Sequence, residues 1–371
     1  MSEGKNKNLN VVYLHGRPSA HSLHSSLAAS VAKEFKFVDS PVRWQDKNRH
    51  IIFDILSWVL NAFLFKDKKK YDIFLVDNLH VTPIIMRKLG LISKKQKLIV
   101  HMGSHTLYFM YSGRFASLNL RLHKYALRNY DAILCEGMMA KELSVLLLKE
   151  QCPPAYVTFI GPHSHRIKEL QKQIPDLSSN NIIIIGSGPA QFRMFYKGLD
   201  LMIKSFDRAF SRNKALKLTV VGNWNREIID YCLKDISMAA AAAINFTGVI
   251  NDTGALVRFI SGSALCIHCT RGDAFPTSTM EVMAAGVPVL VSEWTGTKEI
   301  VKNISTDLIS PLNEESISEK ILWYFALSNE AKIILSNASR EAVKNFTEEN
   351  AILHYQRTFE KITEELQIND W

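Results

Sequence analysis

Short apolar runs recur along the whole chain, separated by stretches with a helical period. "LNVVYLHG", "YDIFLVDN", "QKLIVHMG" and "YDAILCE" are the runs of the first half. "NIIIIGSG", "LKLTVVGN", "AINFTGV", "SALCIHC" and "VPVLVSE" are those of the second. Such near-continuous runs fit parallel strands covered on both faces, since half-exposed strands would alternate. Strands separated by helices predict an α/β fold of doubly wound, Rossmann-like units. Between the two sets lies a polar stretch containing a Pro, "HSHRIKELQKQIPDLSSNN", residues 163–181. It predicts an N-terminal domain over residues 1–165, a linker over 166–180 and a C-terminal domain over 181–346. In the last segment, "NFTEENAILHYQRTFEKITEEL", an apolar helical stripe runs through Ile352, Leu353, Tyr355, Phe359 and Ile362. Its acidic start suits the positive end of a helix dipole.

Size agrees with this division, because 371 residues exceed one ordinary core and suit two domains. Hydrophobic content of 47% and charged content of 22% are those of a soluble globular protein. The net charge of +9, with a pI near 9.2, favours anionic partners: phosphate ligands, nucleic acid or acidic lipid. The start, "MSEGKNKNLN", lacks the apolar core of a signal peptide, and no run is long enough to span a bilayer. Five scattered cysteines, an odd number, imply reduced thiols and a cytoplasmic address. The Asn-x-Ser/Thr matches at Asn245, Asn303, Asn337 and Asn345 are then chance.

The densest chemistry lies in "GDAFPTSTMEVMAAGVPVLVSEWTGTKEIV", residues 272–301, where Asp273 and Glu281 stand eight positions apart. Pro276 disfavours helix at Phe275, so a helix is expected to begin just after it. Thr277, Ser278 and Thr279 then form a first turn whose amides and dipole suit an anion such as a diphosphate. Gly286 and Pro288 end that helix before the strand "VPVLV". A purely structural reading stands beside this one. Ser278 to Glu281 also spells a capping box, and Asp273 also fits a Gly-Asp turn.

This stretch resembles the signature of retaining glycosyltransferases of the GT-B fold, in particular the family four group. Members carry an acid, seven residues and a second acid, then an Ala-rich helix ending in Gly-x-Pro. Here the first acid is Asp273 where the family has Glu, and Glu299 in "TGTKEIV" falls in the family's acidic place. "MFYKGLDLMIKSF" resembles the Lys-Gly-x-Asp segment, which places Lys197 against the donor diphosphate. The family's Arg after the strand Gly is Ser187 here, and Arg193 in the longer loop "SGPAQFRMFYK" is the candidate to replace it. "NYDAILCEGMMAKEL" resembles the segment closing the N-terminal domain. In "VVYLHGRPSAHS" only Gly16 remains of the usual Gly pair, and "KLIVHMGSH" puts His101 where the family keeps a His near the reacting sugar, with His105 as a second candidate.

The resemblance implies two Rossmann-like domains facing across a cleft, with the final helix, 347–371, crossing back onto the first domain. It implies sugar transfer from a UDP- or GDP-sugar to a glycan or lipid-linked acceptor, with retention, as in cell-surface polysaccharide or glycolipid assembly. Lys197, Arg193 and the amides of Thr277, Ser278 and Thr279 would hold the diphosphate. Glu281 would hold the ribose, Asp273 the donor sugar, and Gly16, Phe275 and Pro276 would line the site. His101 would position and polarise. No cofactor is expected, and with no Asp-x-Asp motif no metal is expected either.

The segment "HIIFDILSWVLNAFLFKDKKK", residues 50–70, is apolar but for a narrow stripe of Asp54, Ser57 and Asn61, and ends in lysines. It fits a core helix, or a helix lying on an anionic membrane surface from the cytoplasmic side. Cys266-Ile-His-Cys269 is half a zinc pattern without its second half. No Walker loop, third fingerprint Gly or nucleic-acid motif occurs. A GT-B epimerase and a catalytically silent GT-B scaffold are the competing readings.

Overall fold

The computed structural model describes residues 9–15, 22–37, 56, 59–60, 63, 68–78, 81–103, 105–114, 117–188 and 190–367. The chain forms two compact units, Met1–Ile160 with Ala351–Trp371, and Gly161–Asn350.

The first unit holds a parallel sheet of six strands: β1 (Val11–His15), β2 (Glu34–Phe37), β3 (Ile73–Asp77), β4 (Lys97–Met102), β5 (Ala132–Glu136) and β6 (Ala155–Thr158). Their order is β2-β1-β3-β4-β5-β6. The apolar runs explain the strands, since β1 and β5 are buried along their whole length. In register, Val12 sits beside Phe74, Leu75 beside Ile99, and His101 beside Leu134. One side of the sheet packs on the helix Ser22–Ala29 through Leu23 and Leu27, and on the last helix, Glu348–Glu365. That helix buries Ala351, Tyr355, Phe359 and Ile362 in this core. Large apolar side chains so buried contribute about 1.5–3 kcal/mol each. Leu353, expected on the buried stripe, is instead about half exposed. Ala351 lies four positions before Tyr355 and fills the stripe's first buried place, which turns Leu353 outward.

The second unit repeats the plan with β7 (Asn181–Ile185), β8 (Lys217–Val221), β9 (Ile244–Gly248), β10 (Leu265–His268), β11 (Val289–Ser292) and β12 (Ile309–Ser310). The order is β12-β11-β10-β7-β8-β9, all parallel. β9 is an edge strand and only half-buried, whereas Ile182, Ile183 and Ile184 of β7 are buried. Residues Ser164–Gln171 are helical and belong to this unit.

Strand order reverses between β1 and β3 in the first sheet and between β7 and β10 in the second. The loops leaving the carboxyl ends of such strands diverge and open a crevice, which is where sheets of this kind take ligands. Both halves therefore direct attention to particular residues: His15, Asp77, His101 and Glu136 in one, and the loops after Ile185 and His268 in the other.

Candidate functional site

The loop after β10 is built on buried hydroxyls. Ser292 Oγ donates to the Thr270 carbonyl at 2.6 Å, and Thr295 Oγ1 donates to the His268 carbonyl at 2.9 Å. Thr270 Oγ1 and Thr295 Oγ1 lie 3.0 Å apart, and the Asp273 amide donates to Thr270 Oγ1 at 3.3 Å. Arg271 ties the loop to two helices, Gln191–Lys197 and Leu199–Arg212. Its guanidinium donates to the Phe195 carbonyl at 2.6 Å and grips Asp200 in two bonds of 2.7 and 3.0 Å. Between the helices stands Gly198, at φ +74°, where an added Cβ would lie 2.1 Å from the Cys269 carbonyl oxygen. Only glycine allows that turn and that approach.

This frame brings Lys197 onto Asp273. Lys197 Nζ donates to Asp273 Oδ2 at 2.5 Å, and His268 Nε2 lies 3.3 Å from the same oxygen. The Lys197 and Asp273 side chains keep 17% and 15% of their surface exposed, against 3% for His268. Burial pushes the Asp273 carboxyl up, but the Lys197 charge and the His268 hydrogen bond outweigh it and hold it well below the ordinary carboxylate range. Burial pulls Lys197 down, yet the Asp273 charge overcomes this and leaves the amine above its usual value. Burial also lowers His268, against the pull of Asp273. A neutral imidazole that donates Nε2–H is thus the form that fits.

Arg193 sits one turn before Lys197. The two cations lie 5.3 and 5.2 Å from the centre of the same Tyr196 ring. Arg193 also donates from Nε and Nη2 to the Ser187 carbonyl, at 3.3 and 3.2 Å, in the loop after β7. Two positive groups and one acid therefore meet beside the β7/β10 reversal.

The helix Thr277–Ala284 begins where Pro276 predicts, with Pro276 itself at the N-cap and no side chain capping it. Thr277 and Ser278 are half-buried. Thr279 is buried and its hydroxyl donates to the Pro276 carbonyl at 2.7 Å and to Thr297 Oγ1 at 3.0 Å. Phe275 is buried against Phe346, ring centres 6.0 Å apart. The capping-box reading fails: the helix starts two residues too early for Ser278 to cap it, and Glu281 turns to Arg166 at 2.9 Å. Burial raises the Glu281 carboxyl, with the Arg166 charge opposing.

His101 belongs to the first unit. Its ring is 1% exposed and its Nε2 lies 2.9 Å from Glu136 Oε1. Glu136 is buried at the end of β5, and the same oxygen lies 3.2 Å from Nε2 of His24. Burial pushes the Glu136 carboxyl up, but the His24 charge and the contacts with His101 outweigh it and leave it below its usual value. His105 opens the helix Thr106–Tyr111 and lies edge-on to Phe109. Gly16 lies outside the described residues, as does most of the segment 50–70.

Sequence reasoning missed His268, Arg166, Glu136 and His24. His268 carried a usable signal, since it ends a strand five residues before Asp273. The half-zinc pattern around it holds no metal geometry: among the described residues no three His, Cys, Asp or Glu side chains could share an ion. Cys266 and Cys269 are free and buried, their thiols pushed up by burial.

Residues 180–326 match the family model of the glycosyl transferases group 1. The matched span lies within the second unit and takes in the Lys197–Asp273 cluster. A curated relative, an uncharacterized glycosyltransferase of Methanocaldococcus jannaschii, is 26% identical over 165 residues. That match spans 42% of this chain and 40% of the relative's length. Among solved structures, sucrose-phosphate synthase from Thermosynechococcus elongatus is 15% identical with a TM-score of 0.70, over 96% of this chain and 100% of its own. Anabaena HepE, solved with UDP and glucose, is 13% identical with a TM-score of 0.64, over 95% and 99%. At these identities the likeness is one of fold. It agrees with the two Rossmann-like α/β units and the GT-B class that the strand pattern and motifs suggested.

Proposed function

We propose that this chain transfers a sugar from a nucleotide-sugar donor to a hydroxyl acceptor, with retention of anomeric configuration. The observation that carries the reading is the cluster of Lys197, Arg193 and Asp273 at the strand reversal of a glycosyl transferases group 1 domain. As the anomeric C–O bond breaks, negative charge grows on the departing diphosphate. Cations and helix amides set in advance stabilise that charge more in the transition state than in the ground state. Lys197, Arg193 and the start of the helix Thr277–Ala284 are suited to this work, and with them the leaving group needs no divalent ion.

Asp273 would accept hydrogen bonds from donor-sugar hydroxyls, and Glu281 from the ribose, each after exchanging part of its present cation contact. The acceptor would enter on the face the diphosphate leaves, and a diphosphate oxygen would take its proton. Two structural neighbours support a uridine donor. HepE was solved with UDP and glucose, and a UDP-forming trehalose-phosphate synthase from Burkholderia xenovorans was solved with glucose-6-phosphate.

The acceptor we favour is a glycan or lipid-linked sugar, met at the cytoplasmic face of a membrane. Leu56, Leu60 and Phe63 are each 59% exposed. Spaced by four and three residues, they share one helix face, and Lys68–Lys70 follow. Among the described residues no helix is long and apolar enough to cross a membrane. Flotation with phosphatidylglycerol vesicles at low salt should carry the protein up; a protein that stays at the bottom removes the membrane from this reading.

The central test is calorimetry with UDP and GDP, followed by turnover of the matching sugar donors with and without acceptor. Nucleotide binding with acceptor-dependent turnover is expected. Binding without turnover on any acceptor would make the chain a scaffold, and turnover indifferent to acceptor would make it a hydrolase or epimerase.

A further inference from the structure

Glu281 stands on the helix Thr277–Ala284, whose residues from Thr279 to Ala284 are buried. Glu281 itself is 4% exposed. A carboxylate taken out of water in this way gains a proton unless a cation compensates. Arg166 is that cation. Its Nη1 donates to Glu281 Oε1 at 2.9 Å, and among the described residues this is the one ion pair that Glu281 makes. The carboxyl feels His163 less, and that ring is turned to Glu348 at 3.6 Å.

Arg166 is held for this contact by its own helix, Ser164–Gln171, which buries Ile167 and Leu170. At the start of that helix the Ser164 hydroxyl donates to Glu349 Oε1 at 2.8 Å, and the Ser164 amide to Glu348 Oε2 at 3.4 Å. The guanidinium is not itself packed away. The Arg166 side chain keeps 36% of its surface exposed, against 6% for Glu281. The contact is also one-sided. It occupies Oε1, whereas Glu281 Oε2 makes no hydrogen bond among the described residues and is not one of the polar atoms sealed from solvent. An ionised carboxylate accepts at both oxygens, so Oε2 stays open to a ligand hydroxyl while Arg166 holds Oε1. Bonds to a charged acceptor are shorter and stronger than those to a neutral one.

We propose that Arg166 is a positioning residue for nucleotide binding: it fixes one oxygen of Glu281 and so presents the other, as a charged acceptor, to the ribose. The assignment rests on the reading of Glu281 as the acid that takes the ribose. A guanidinium suits the task because its planar fork sets the orientation of a carboxylate, which a flexible ammonium does not. If the pair only pinned two helices together, Arg166 would contribute to stability and not to the choice between nucleotide and bare diphosphate.

Calorimetry on the full chain with UDP, GDP and inorganic diphosphate tests this. The proteins are the wild type, Arg166→Met, Arg166→Lys, Glu281→Gln and the double variant Arg166→Met/Glu281→Gln, with a thermal melt of each. Arg166→Met should weaken the preferred nucleotide on the order of 10-fold and leave diphosphate unchanged. Arg166→Lys, with the charge but not the fork, should fall between Arg166→Met and the wild type. In the Glu281→Gln background, Arg166→Met should cost no further nucleotide affinity, since the acid it positions is gone. Wild-type nucleotide affinity in Arg166→Met or Arg166→Lys overturns the proposal. So do equal losses for nucleotide and diphosphate, or losses that multiply in the double variant. Arg166→Lys keeps a cation beside the buried acid and carries the comparison if Arg166→Met does not fold. A wild type that binds neither UDP nor GDP defeats the transferase reading and this assignment with it. A wild type that binds nucleotide no more tightly than its Arg166 variants defeats the assignment alone.

Discussion

The Lys197–Asp273 pair predicts opposite effects from its two halves. In the structure it is a short contact between side chains that are 17% and 15% exposed. Removing one partner of a fully buried pair costs about 3–5 kcal/mol, because a charge is left without its counter-ion. Residual exposure screens part of that, so about 2 kcal/mol is expected for either Asp273→Asn or Lys197→Met. For a unit of this size that is a fall in Tm of roughly 4–8 °C. Ligand affinity separates them. Lys197→Met removes a charge-assisted bond to diphosphate worth about 1.5–3 kcal/mol, so UDP should bind roughly 10- to 150-fold more weakly. Asp273→Asn releases Lys197 from its partner, so UDP should bind more tightly while sugar transfer is lost. Because the Asp273 carboxyl lies below its ordinary value, its stabilising contribution is complete above about pH 4 and shrinks as pH falls further. The Tm gap between wild type and Asp273→Asn should close accordingly. Calorimetry with UDP and thermal melts between pH 3 and 7 read all of these. If both variants shift UDP affinity in the same direction, or neither shifts it, the pair is structural and the diphosphate assignment of Lys197 is wrong.

Gly198→Ala should abolish UDP binding in a protein that still folds, since its Cβ would collide with the Cys269 carbonyl and push Lys197 off the loop; unaltered UDP titration would contradict this. Arg340 donates to four backbone carbonyls, those of Gln171, Gln173, Ala284 and Ala285. Its replacement by Met should cost about 3 kcal/mol and lower the Tm by roughly 6–12 °C without altering UDP affinity, as a melt and a titration would show. Glu281→Gln should weaken UDP but not inorganic diphosphate, if the carboxylate takes the ribose; equal losses for both ligands would place Glu281 elsewhere.

The strands β7 and β10 and the turn and helix start around Asp273 could be read in the sequence because each is encoded locally. Continuous apolar runs mark strands buried on both faces, and Pro276 marks where a helix must start. Lys197 was singled out only by the resemblance of its Lys-Gly-x-Asp segment to that of the family. What escaped was assembled from distant pieces. Glu136, Asp77 and His101 come from three different strands and His24 from a helix, and they meet only once the sheet has formed. Arg166 was overlooked because its polar stretch has the composition of a linker, and only the structure shows it as a helix anchoring Glu281. His268 was visible but was grouped with its cysteine neighbours, although burial on β10 had already settled their role as core. The exposed face at Leu56, Leu60 and Phe63 could not be told from a core face, since hydrophobic period reveals an apolar side but not what covers it.

The sheet of the first unit is sealed by Tyr355, Phe359 and Ile362, which are synthesised after the whole of the second unit. A nascent chain leaving the ribosome therefore carries an incomplete first module, with one flank of its sheet bare, while the inserted module can already condense. The exposed apolar flank is a natural place for a chaperone to bind during that interval, and nonsense mutations late in the reading frame should yield aggregates rather than shortened folded chains.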